Sequence, residues 1–324
     1  DIPKPTIAAD QVLVKVAACG VCHTDLHYLE HGVPTFKKPP LVLGHEASGV
    51  VEEIGPEVRN VVRGQRVLIP AVLTCGRCAF CRMGRENICA SMTMLGNHID
   101  GAYAEFVAVP AKDLLALPEA VPLEEASIIA DALSTPFHAV KNRARVQPGD
   151  TVVVFGCGGV GINAVQLAAI AGGYVIAVDI NERKLAWASE FGAVKTINAS
   201  KVERVSKEVK KLTGGGADVC LEVIGNPKTI EEAFECVRVG GRLCVVGYTN
   251  EAVSLIPGKI MFKEIEVVGS LGCRPLDYVP LIRWVEQGRI NLKKQVTHRF
   301  PLHEIHKAFE VMKEGASLRS IVVP

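Results

Sequence analysis

The stretch TVVVFGCGGVG, residues 151–161, decides the fold of this 324-residue chain. Its β-branched run predicts a strand, and the strand leads directly into a GxGxxG pattern made by Gly156, Gly158 and Gly161. The apolar residues that follow recur at helical spacing. A glycine turn between a strand and a helix can place backbone amides against a pyrophosphate. The stretch therefore predicts the phosphate-binding turn of a dinucleotide-binding domain.

Outward from this turn, short β-branched runs alternate with helical patterns. An alternation of this kind predicts an α/β domain with a parallel, doubly wound sheet of the Rossmann type. We expect this domain to cover residues 133–272. Its predicted strands are residues 151–155, 174–179, 195–198, 218–224, 242–246 and 264–269.

An acidic residue, Asp179, ends the second predicted strand, 23 positions after Gly156. A carboxylate there accepts hydrogen bonds from the ribose hydroxyls of the adenosine half and repels a 2′-phosphate. The position predicts NAD rather than NADP as cofactor, although the nearby Arg183 and Lys184 weaken that preference. The alternative role for Asp179 is to cap the following helix.

The two flanks of this domain differ from it in pattern. Residues 1–132 are rich in Gly and Pro, with short Val runs and no long helical periods, which predicts an irregular β domain with loops. Residues 273–324 contain two helical patterns, 278–287 and 302–313, and a final strand at 317–323. We expect this tail to return to the first domain.

Composition excludes several classes of protein. Hydrophobic residues make up 48% and charged residues 22% of the chain, and the net charge is +1 with no polybasic run. This balance is typical of a soluble globular protein and disfavours nucleic-acid and membrane partners. No apolar run approaches the roughly 20 residues of a membrane span.

Four of the eleven cysteines crowd into fifteen residues as CxxCxxCxxxxxxxC, formed by Cys75, Cys78, Cys81 and Cys89. Two-residue gaps let successive thiolates turn toward one point, and four sulfurs complete a closed tetrahedral zinc shell. The alternative is a set of buried or disulfide-linked cysteines, but this spacing suits mutual bridging poorly. The cluster predicts a structural zinc site and a reducing, cytoplasmic location.

Cys22 and His45 are candidates for half of a second zinc shell, and Asp131 is a candidate third ligand because it is an acidic residue within an apolar stretch. A Cys, His, Asp set leaves the fourth zinc position open to water or an alcohol, as catalytic zinc requires. Alternatively, Cys22 and His45 are ordinary core residues and Asp131 caps a helix.

In this combination and order, the segments CHTDLH (22–27), GHEASGVVEEIG (44–55), the four-cysteine lobe and GCGGVG (156–161) resemble the zinc-containing medium-chain alcohol dehydrogenases. The resemblance covers nearly the whole chain and implies a GroES-like catalytic domain followed by a Rossmann domain. It implies two Zn²⁺ ions per chain and NAD as cofactor.

The resemblance also implies roles for single residues. Cys22, His45 and Asp131 would bind the catalytic zinc with Glu46 beside it; many relatives have Cys in place of Asp131, and a subset has Asp. Thr24 would bond the alcohol, His27 would end a proton relay, and Asp25 would orient His45. The implied cofactor residues are Gly156, Gly158, Gly159, Val160, Gly161, Asp179, Lys184, Ile224 and Thr135, with His23 and Arg319 at the pyrophosphate.

The predicted reaction is hydride transfer between an alcohol and NAD, giving an aldehyde or ketone. Ala71 follows Pro70 where relatives that act on small primary alcohols often have a large aromatic residue, which favours a bulkier secondary or cyclic alcohol. Alternatives are a cyclic hydroxyacyl-CoA dehydrogenase, a zinc-free quinone reductase of the same fold, and a non-catalytic zinc and nucleotide sensor. The run 264–272 resembles an edge strand through which relatives pair, so we expect a homodimer or homotetramer.

Overall fold

The computed structural model describes residues 2–324; residue 1 of the predicted first domain lies outside the described residues. Within that range the strands are β1 (Gln11–Gly20), β2 (Glu46–Ile54), β3 (Arg66–Ile69), β4 (Val72–Leu73), β5 (Thr93–Met94), β6 (Phe106–Pro110), β7 (Leu115–Ala116), β8 (Thr151–Phe155), β9 (Tyr174–Asp179), β10 (Lys195–Asn198), β11 (Ala217–Glu222), β12 (Val237–Val245), β13 (Glu266–Gly269), β14 (Val296–Pro301) and β15 (Arg319–Val323).

The α-helices of the described residues are short to medium in length. They are α1 (His23–Leu29), α2 (Ala79–Arg82), α3 (Ser134–Phe137), α4 (Gly159–Ile170), α5 (Glu182–Glu190), α6 (Val205–Thr213), α7 (Pro227–Cys236), α8 (Pro257–Lys263), α9 (Pro275–Glu286), α10 (Leu292–Gln295) and α11 (Ile305–Lys313). None of the helices described between residues 2 and 324 is long and apolar enough to cross a membrane.

Residues 2–324 divide into two compact units, one made of 2–134 with 273–324 and the other of 135–272. In the first unit an irregular sheet has the strand order β14-β15-β1-β2-β3-β7, and β6 also pairs with β1. Its core contains fully buried β-branched side chains such as Val12, Val14 and Val67. The predicted irregular β domain is confirmed.

In the second unit, residues 135–272, the sheet order is β10-β9-β8-β11-β12-β13, and every neighbouring pair is parallel. Strand β8 lies at the point where the order reverses. Its residues Val152, Val153 and Val154 are all fully buried, as expected for a parallel strand covered on both faces. The predicted doubly wound α/β sheet is confirmed.

Several boundaries differ from the sequence prediction. β12 begins at Val237 rather than at residue 242, because Val237 pairs with Ala217 and a register shift then brings Arg242 opposite Val219. The glycines between them include Gly240, whose φ of +71° suits glycine. In the tail, β15 pairs antiparallel with β1.

Candidate functional site

The first candidate site is the four-cysteine lobe around α2. The sulfur of Cys81 is 3.9 Å from that of Cys75 and 3.5 Å from that of Cys78, and the sulfurs of Cys78 and Cys89 are 3.9 Å apart. Four sulfurs at about 2.3 Å from a tetrahedral zinc ion are about 3.8 Å from one another. The spacing therefore fits a zinc shell in which all four positions are sulfur.

Backbone amides point at several of these sulfurs and favour the thiolate form there. The Cys78 amide donates to Cys75 Sγ at 3.3 Å, and the amides of Cys75 and Ser91 each donate to Cys89 Sγ at 3.4 Å. Amide donors, that of Cys81 foremost, lower the pKa of Cys78 to about 6, whereas desolvation raises that of Cys81 to about 12. Zinc binds thiolates, so the lowered pKa of Cys78 fits a zinc site, as the distances between the sulfurs do.

The second candidate site joins three separate parts of the first unit. Cys22 is the N-cap of α1, Glu46 opens β2 directly after His45, and Asp131 follows the 3₁₀ helix Glu125–Ala130. One ligand atom from each of the four lies within 4.8 Å of the other three. Asp131 Oδ2 is 3.8 Å from Cys22 Sγ and 3.7 Å from His45 Nε2. The fold thus brings the three predicted ligands together.

His45 shows that this cluster fits a cation. Both of its ring nitrogens are buried, and neither makes a hydrogen bond of normal geometry among residues 2–324; the nearest carboxylate oxygens, of Asp25 and Asp131, are 3.5 and 3.7 Å away. Buried polar atoms are normally partnered, and a zinc ion would satisfy one of these nitrogens. Burial lowers the pKa of His45, but the carboxylates of Asp25 and Asp131 outweigh it and raise that pKa well above its ordinary value. The surroundings favour a positive charge at this point.

The cluster is mostly buried, and Asp131 is its most exposed member. Burial raises the pKa of the Cys22 thiol, but the positive charges of Arg319 and His45 overcome it and lower that pKa below its ordinary value. The side chain of His45 is 1% exposed, whereas that of Asp131 is 21% exposed. Solvent therefore reaches the cluster at Asp131, where a water or another small ligand would complete the shell of a bound metal.

Asp25 lies next to the Nδ1 atom of His45, whereas Asp131 lies next to Nε2. Asp25 Oδ1 is 3.5 Å from His45 Nδ1, and Asp25 Oδ2 accepts hydrogen bonds from the Tyr103 hydroxyl at 2.8 Å and from the Cys22 amide at 3.3 Å. Tyr103 is 78 residues away from Asp25, and no sequence signal singled it out. These contacts hold the carboxylate where the resemblance requires it, next to the histidine nitrogen remote from Asp131.

Arg319 lies against Glu46 in the interior of the first unit. Its Nε donates to Glu46 Oε2 at 3.1 Å, and a second ion pair joins Nη2 and Oε1. Arg319 is 6% exposed and Glu46 is fully buried. An arginine in this position offsets part of the cost of burying the Glu46 side chain. Sequence reasoning missed this pair, and the pyrophosphate role of Arg319 stays a prediction.

Thr24 and His27 lie on α1. Thr24 Oγ1 is 3.6 Å from Cys22 Sγ, so the hydroxyl lies beside the ligand cluster. The Nδ1 atom of His27 is 3.0 Å from that of His31, a neighbour that the sequence did not indicate. Partial burial, aided by the charge of His31, lowers the pKa of His27.

In the second unit, the glycine loop connects the end of β8 to the start of α4. Gly156 has a φ of +93°, which favours glycine. A Cβ on Gly161 would lie 1.8 Å from the carbonyl oxygen of Gly156, so only glycine allows α4 to begin so close to the loop. A Cβ on Gly158 would meet nothing within 4 Å among the described residues, which leaves open space in front of the helix.

Asp179 lies at the mouth of this loop, on the strand beside β8. Its Oδ2 accepts a hydrogen bond from the Cys157 amide at 2.8 Å and its Oδ1 accepts one from the Asn181 amide at 2.9 Å. The N-cap of α5 is Asn181, whose side chain accepts from the amides of Arg183 and Lys184. Asp179 is therefore not the cap of that helix.

The remaining predicted cofactor residues lie on several elements. Among them, Ile224 is 49% exposed just past β11, and Lys184 is half-buried on α5. Glu222, which the sequence did not single out, is fully buried at the end of β11. It accepts hydrogen bonds from the amides of Ile224 and Gly225 at 3.0 Å and from Thr229 Oγ1 at 2.7 Å. The other predicted cofactor residues lie elsewhere: Thr135 is on α3, Val160 is in the first turn of α4, and the exposed His23 is at the start of α1.

A Rossmann-type sheet with a glycine loop, together with an irregular β domain that carries two metal-ligand clusters, defines a zinc-type dehydrogenase. Two family profiles match the chain: "Alcohol dehydrogenase GroES-like domain" over residues 8–119 and "Zinc-binding dehydrogenase" over residues 159–287. The chain belongs to the zinc-containing medium-chain dehydrogenase/reductase family. The predicted GroES-like and Rossmann combination is confirmed.

Curated relatives of the chain act on different substrates. The chain is 34% identical to the L-threonine 3-dehydrogenase of Bacillus licheniformis, with 100% of this chain and 94% of that protein covered. It is 33% identical to an alcohol dehydrogenase of Geobacillus stearothermophilus, with 97% and 92% covered. Among solved structures, the alcohol dehydrogenase TADH from Thermus sp. ATN1 has a TM-score of 0.93 at 29% identity, with 100% and 95% covered.

Proposed function

We propose that this dehydrogenase is a zinc-dependent alcohol dehydrogenase that uses NAD, with one catalytic and one structural zinc ion per chain. The observation that carries the proposal is the convergence of Cys22, His45 and Asp131 on one point, with Glu46 beside them and Asp131 partly exposed. The four-cysteine lobe would hold the structural ion, since all its donors are sulfur atoms.

The residues in and around the cluster of Cys22, His45 and Asp131 would each have a separate role in alcohol oxidation. Zinc, when bound, supplies the Lewis acidity that lowers the pKa of an alcohol hydroxyl. Thr24 would accept the hydroxyl proton and pass it toward His27, which releases it to solvent. Asp25 would keep His45 in one orientation through its contact with Nδ1. NAD, when bound, would supply the hydride acceptor, and the oxidation balances because the alcohol loses one proton and one hydride and becomes a carbonyl compound.

A substrate panel tests the proposed function. Ala71 is a small, buried residue directly before β4. A small side chain at this position favours a secondary or cyclic alcohol over ethanol. We expect NAD reduction by purified enzyme to be faster with cyclohexanol or benzyl alcohol than with ethanol. L-threonine and a cyclic hydroxyacyl-CoA belong in the panel as competing substrate classes. A strong preference for ethanol would contradict the bulky-alcohol proposal, and no turnover of any alcohol would contradict the function.

NAD preference is proposed to depend on Asp179. Replacing Asp179 by Ser removes the charge that would repel a 2′-phosphate, so we expect the NAD to NADP ratio of kcat/KM to fall by about tenfold or more, the equivalent of at least about 1.4 kcal/mol. Steady-state kinetics with both cofactors measures this ratio. The control is Glu182→Gln, since Glu182 is an exposed acid that pairs with Lys201. An unchanged ratio in Asp179→Ser would refute the assignment.

We propose a homo-oligomer that pairs through β13. Within residues 135–272, β13 ends the sheet and hydrogen-bonds with β12 alone, and its Val267 is 40% exposed. Helix α8 and the chain after β13 expose further apolar side chains: Phe262 is 82%, Met261 63% and Leu271 57% exposed. A second copy, adding its own edge strand, would cover the strand and these side chains together.

Replacing Phe262 by Glu is expected to weaken this association by about tenfold or more, because an unpaired charge at an apolar contact costs over about 1.4 kcal/mol. Light scattering after size exclusion measures the change as a shift toward monomer. Phe36→Glu is the matched control, because Phe36 is 79% exposed in the first unit and far from β13 in sequence. If Phe262→Glu keeps the mass of the unchanged protein, the interface lies elsewhere.

A further inference from the structure

The carboxyl end of α1 carries a histidine pair that belongs to neither cluster of metal ligands. His27 lies in the last turn of α1, and His31 lies two residues beyond its end. Their Nδ1 atoms are 3.0 Å apart, within hydrogen-bond distance in the absence of a metal, and their ring centroids are 5.1 Å apart. The backbone keeps this spacing, because the His31 amide donates to the carbonyl of Leu26 and the Val33 amide donates to that of His27.

The spacing suits two nitrogens bound to one transition-metal ion. Nitrogens at about 2.0 to 2.1 Å from an ion, with ligand angles between square and tetrahedral, are about 2.9 to 3.4 Å apart. Histidines four residues apart on one helix face are a known zinc-binding arrangement, and here His31 lies just past the end of α1. His31 is exposed and His27 half-buried, so an ion can reach the pair from solvent.

Binding at this pair would be weak and exchangeable. Among residues 2–324, two groups of three or more potential ligands converge, and neither includes His27 or His31. Water would therefore complete the shell. Imidazole pairs bind Cu²⁺ more tightly than Ni²⁺ or Zn²⁺, whereas Mg²⁺ and Ca²⁺ prefer oxygen ligands.

We propose that His27 and His31 form a third, exchangeable site for a divalent transition cation, and that its occupancy inhibits turnover. The inhibitory part rests on the proposed function, in which His27 releases the substrate proton. When one nitrogen of His27 holds a cation and the other carries its hydrogen, the ring has no lone pair to accept a proton. The added positive charge opposes proton arrival as well.

Calorimetric titration of Zn²⁺ into the purified enzyme, which retains its resident zinc, tests the site. We expect one additional weak binding event in the unchanged protein, and a Kd about tenfold or more higher in His31→Gln, the equivalent of at least about 1.4 kcal/mol. Mg²⁺ should give no such event. The matched control is the double variant His303→Gln, His306→Gln, which removes another exposed pair close in sequence. Equal affinity in His31→Gln, or loss of the event in the control, would overturn the site.

Activity with added Zn²⁺ tests the consequence. We expect reversible inhibition of the unchanged enzyme over the concentration range of the titration, and an inhibition constant about tenfold higher in His31→Gln, each measured relative to that protein's own activity without added metal. Zinc binding without inhibition would overturn the inhibitory part and keep the site. If no alcohol is turned over at all, the proposed function fails, while the titration still decides whether the pair binds metal.

Discussion

Replacing Asp131 by Ala is expected to abolish turnover and to remove one zinc ion per chain. Asp131 Oδ2 lies 3.8 Å from Cys22 Sγ and 3.7 Å from His45 Nε2, so the substitution takes one of three proposed ligands from an open site. We expect kcat/KM to fall by about 1000-fold or more, since a lost metal removes more stabilisation than a single hydrogen-bond donor. Elemental analysis and steady-state kinetics measure both effects.

Two further variants separate ligation from general damage. Asp131→Cys should keep the zinc and much of the activity, because a thiolate is also a zinc ligand. Asp100→Ala removes an acid whose side chain is 47% exposed and paired with Lys37, so it should change neither metal content nor activity. Retention of both zinc ions by Asp131→Ala would show that Asp131 is not a ligand.

Replacing Cys81 by Ser is expected to remove the other zinc ion and to destabilise the first unit. Cys81 Sγ lies 3.5 to 3.9 Å from two other sulfurs of the lobe, so its loss leaves an incomplete shell and amides directed at sulfurs that no longer bind an ion. Structural zinc contributes directly to folding, and a loss of about 3 to 4 kcal/mol lowers the Tm of a domain this size by on the order of 10 °C. Thermal unfolding followed by circular dichroism measures the shift.

The control for this substitution is another buried cysteine. Cys236 is fully buried in the core of the second unit and takes part in neither group of ligands. Cys236→Ala should keep both zinc ions and the activity, with only a packing cost. A Cys81→Ser protein that keeps two zinc ions and its thermal stability would contradict the structural role of the lobe.

The sequence predicted the second unit well, because its signals are local. Five of the six predicted strands lie within two residues of β8 to β11 and β13, and the start of β12 was misplaced by the glycine-containing register shift after Val237. Each strand is a short β-branched run bounded by glycine or a polar residue, so the sequence itself marks its ends. The strand order, however, depends on pairings between strands distant in the sequence, such as β8 with β11.

The two candidate metal sites differ in the same way, since one depends on local spacing and the other on residues far apart in the chain. The four cysteines lie within fifteen residues, so their spacing alone indicates that the sulfurs can reach one point. Asp131 is 109 residues from Cys22, and only its acidic character in an apolar stretch marked it. Tyr103 carried no such mark, since a tyrosine far along the chain is unremarkable until its partner is known. Arg319 was named only through the resemblance, as a pyrophosphate residue, and its pairing with Glu46 was not predicted.

The sequence by itself determined the family, the two-domain plan, the glycine turn and the cysteine lobe, because each depends on residues close together in the chain. The tertiary structure alone decided the surroundings of the proposed catalytic zinc. Strand β1 pairs on one side with β2, which sets Gly20 opposite Glu46, and on the other with β15, which sets Gly20 opposite Ile321. These two pairings bring Glu46 and Arg319 together near Cys22. Glu46 and Arg319 are 273 positions apart in the chain, so no local sequence pattern can specify their contact.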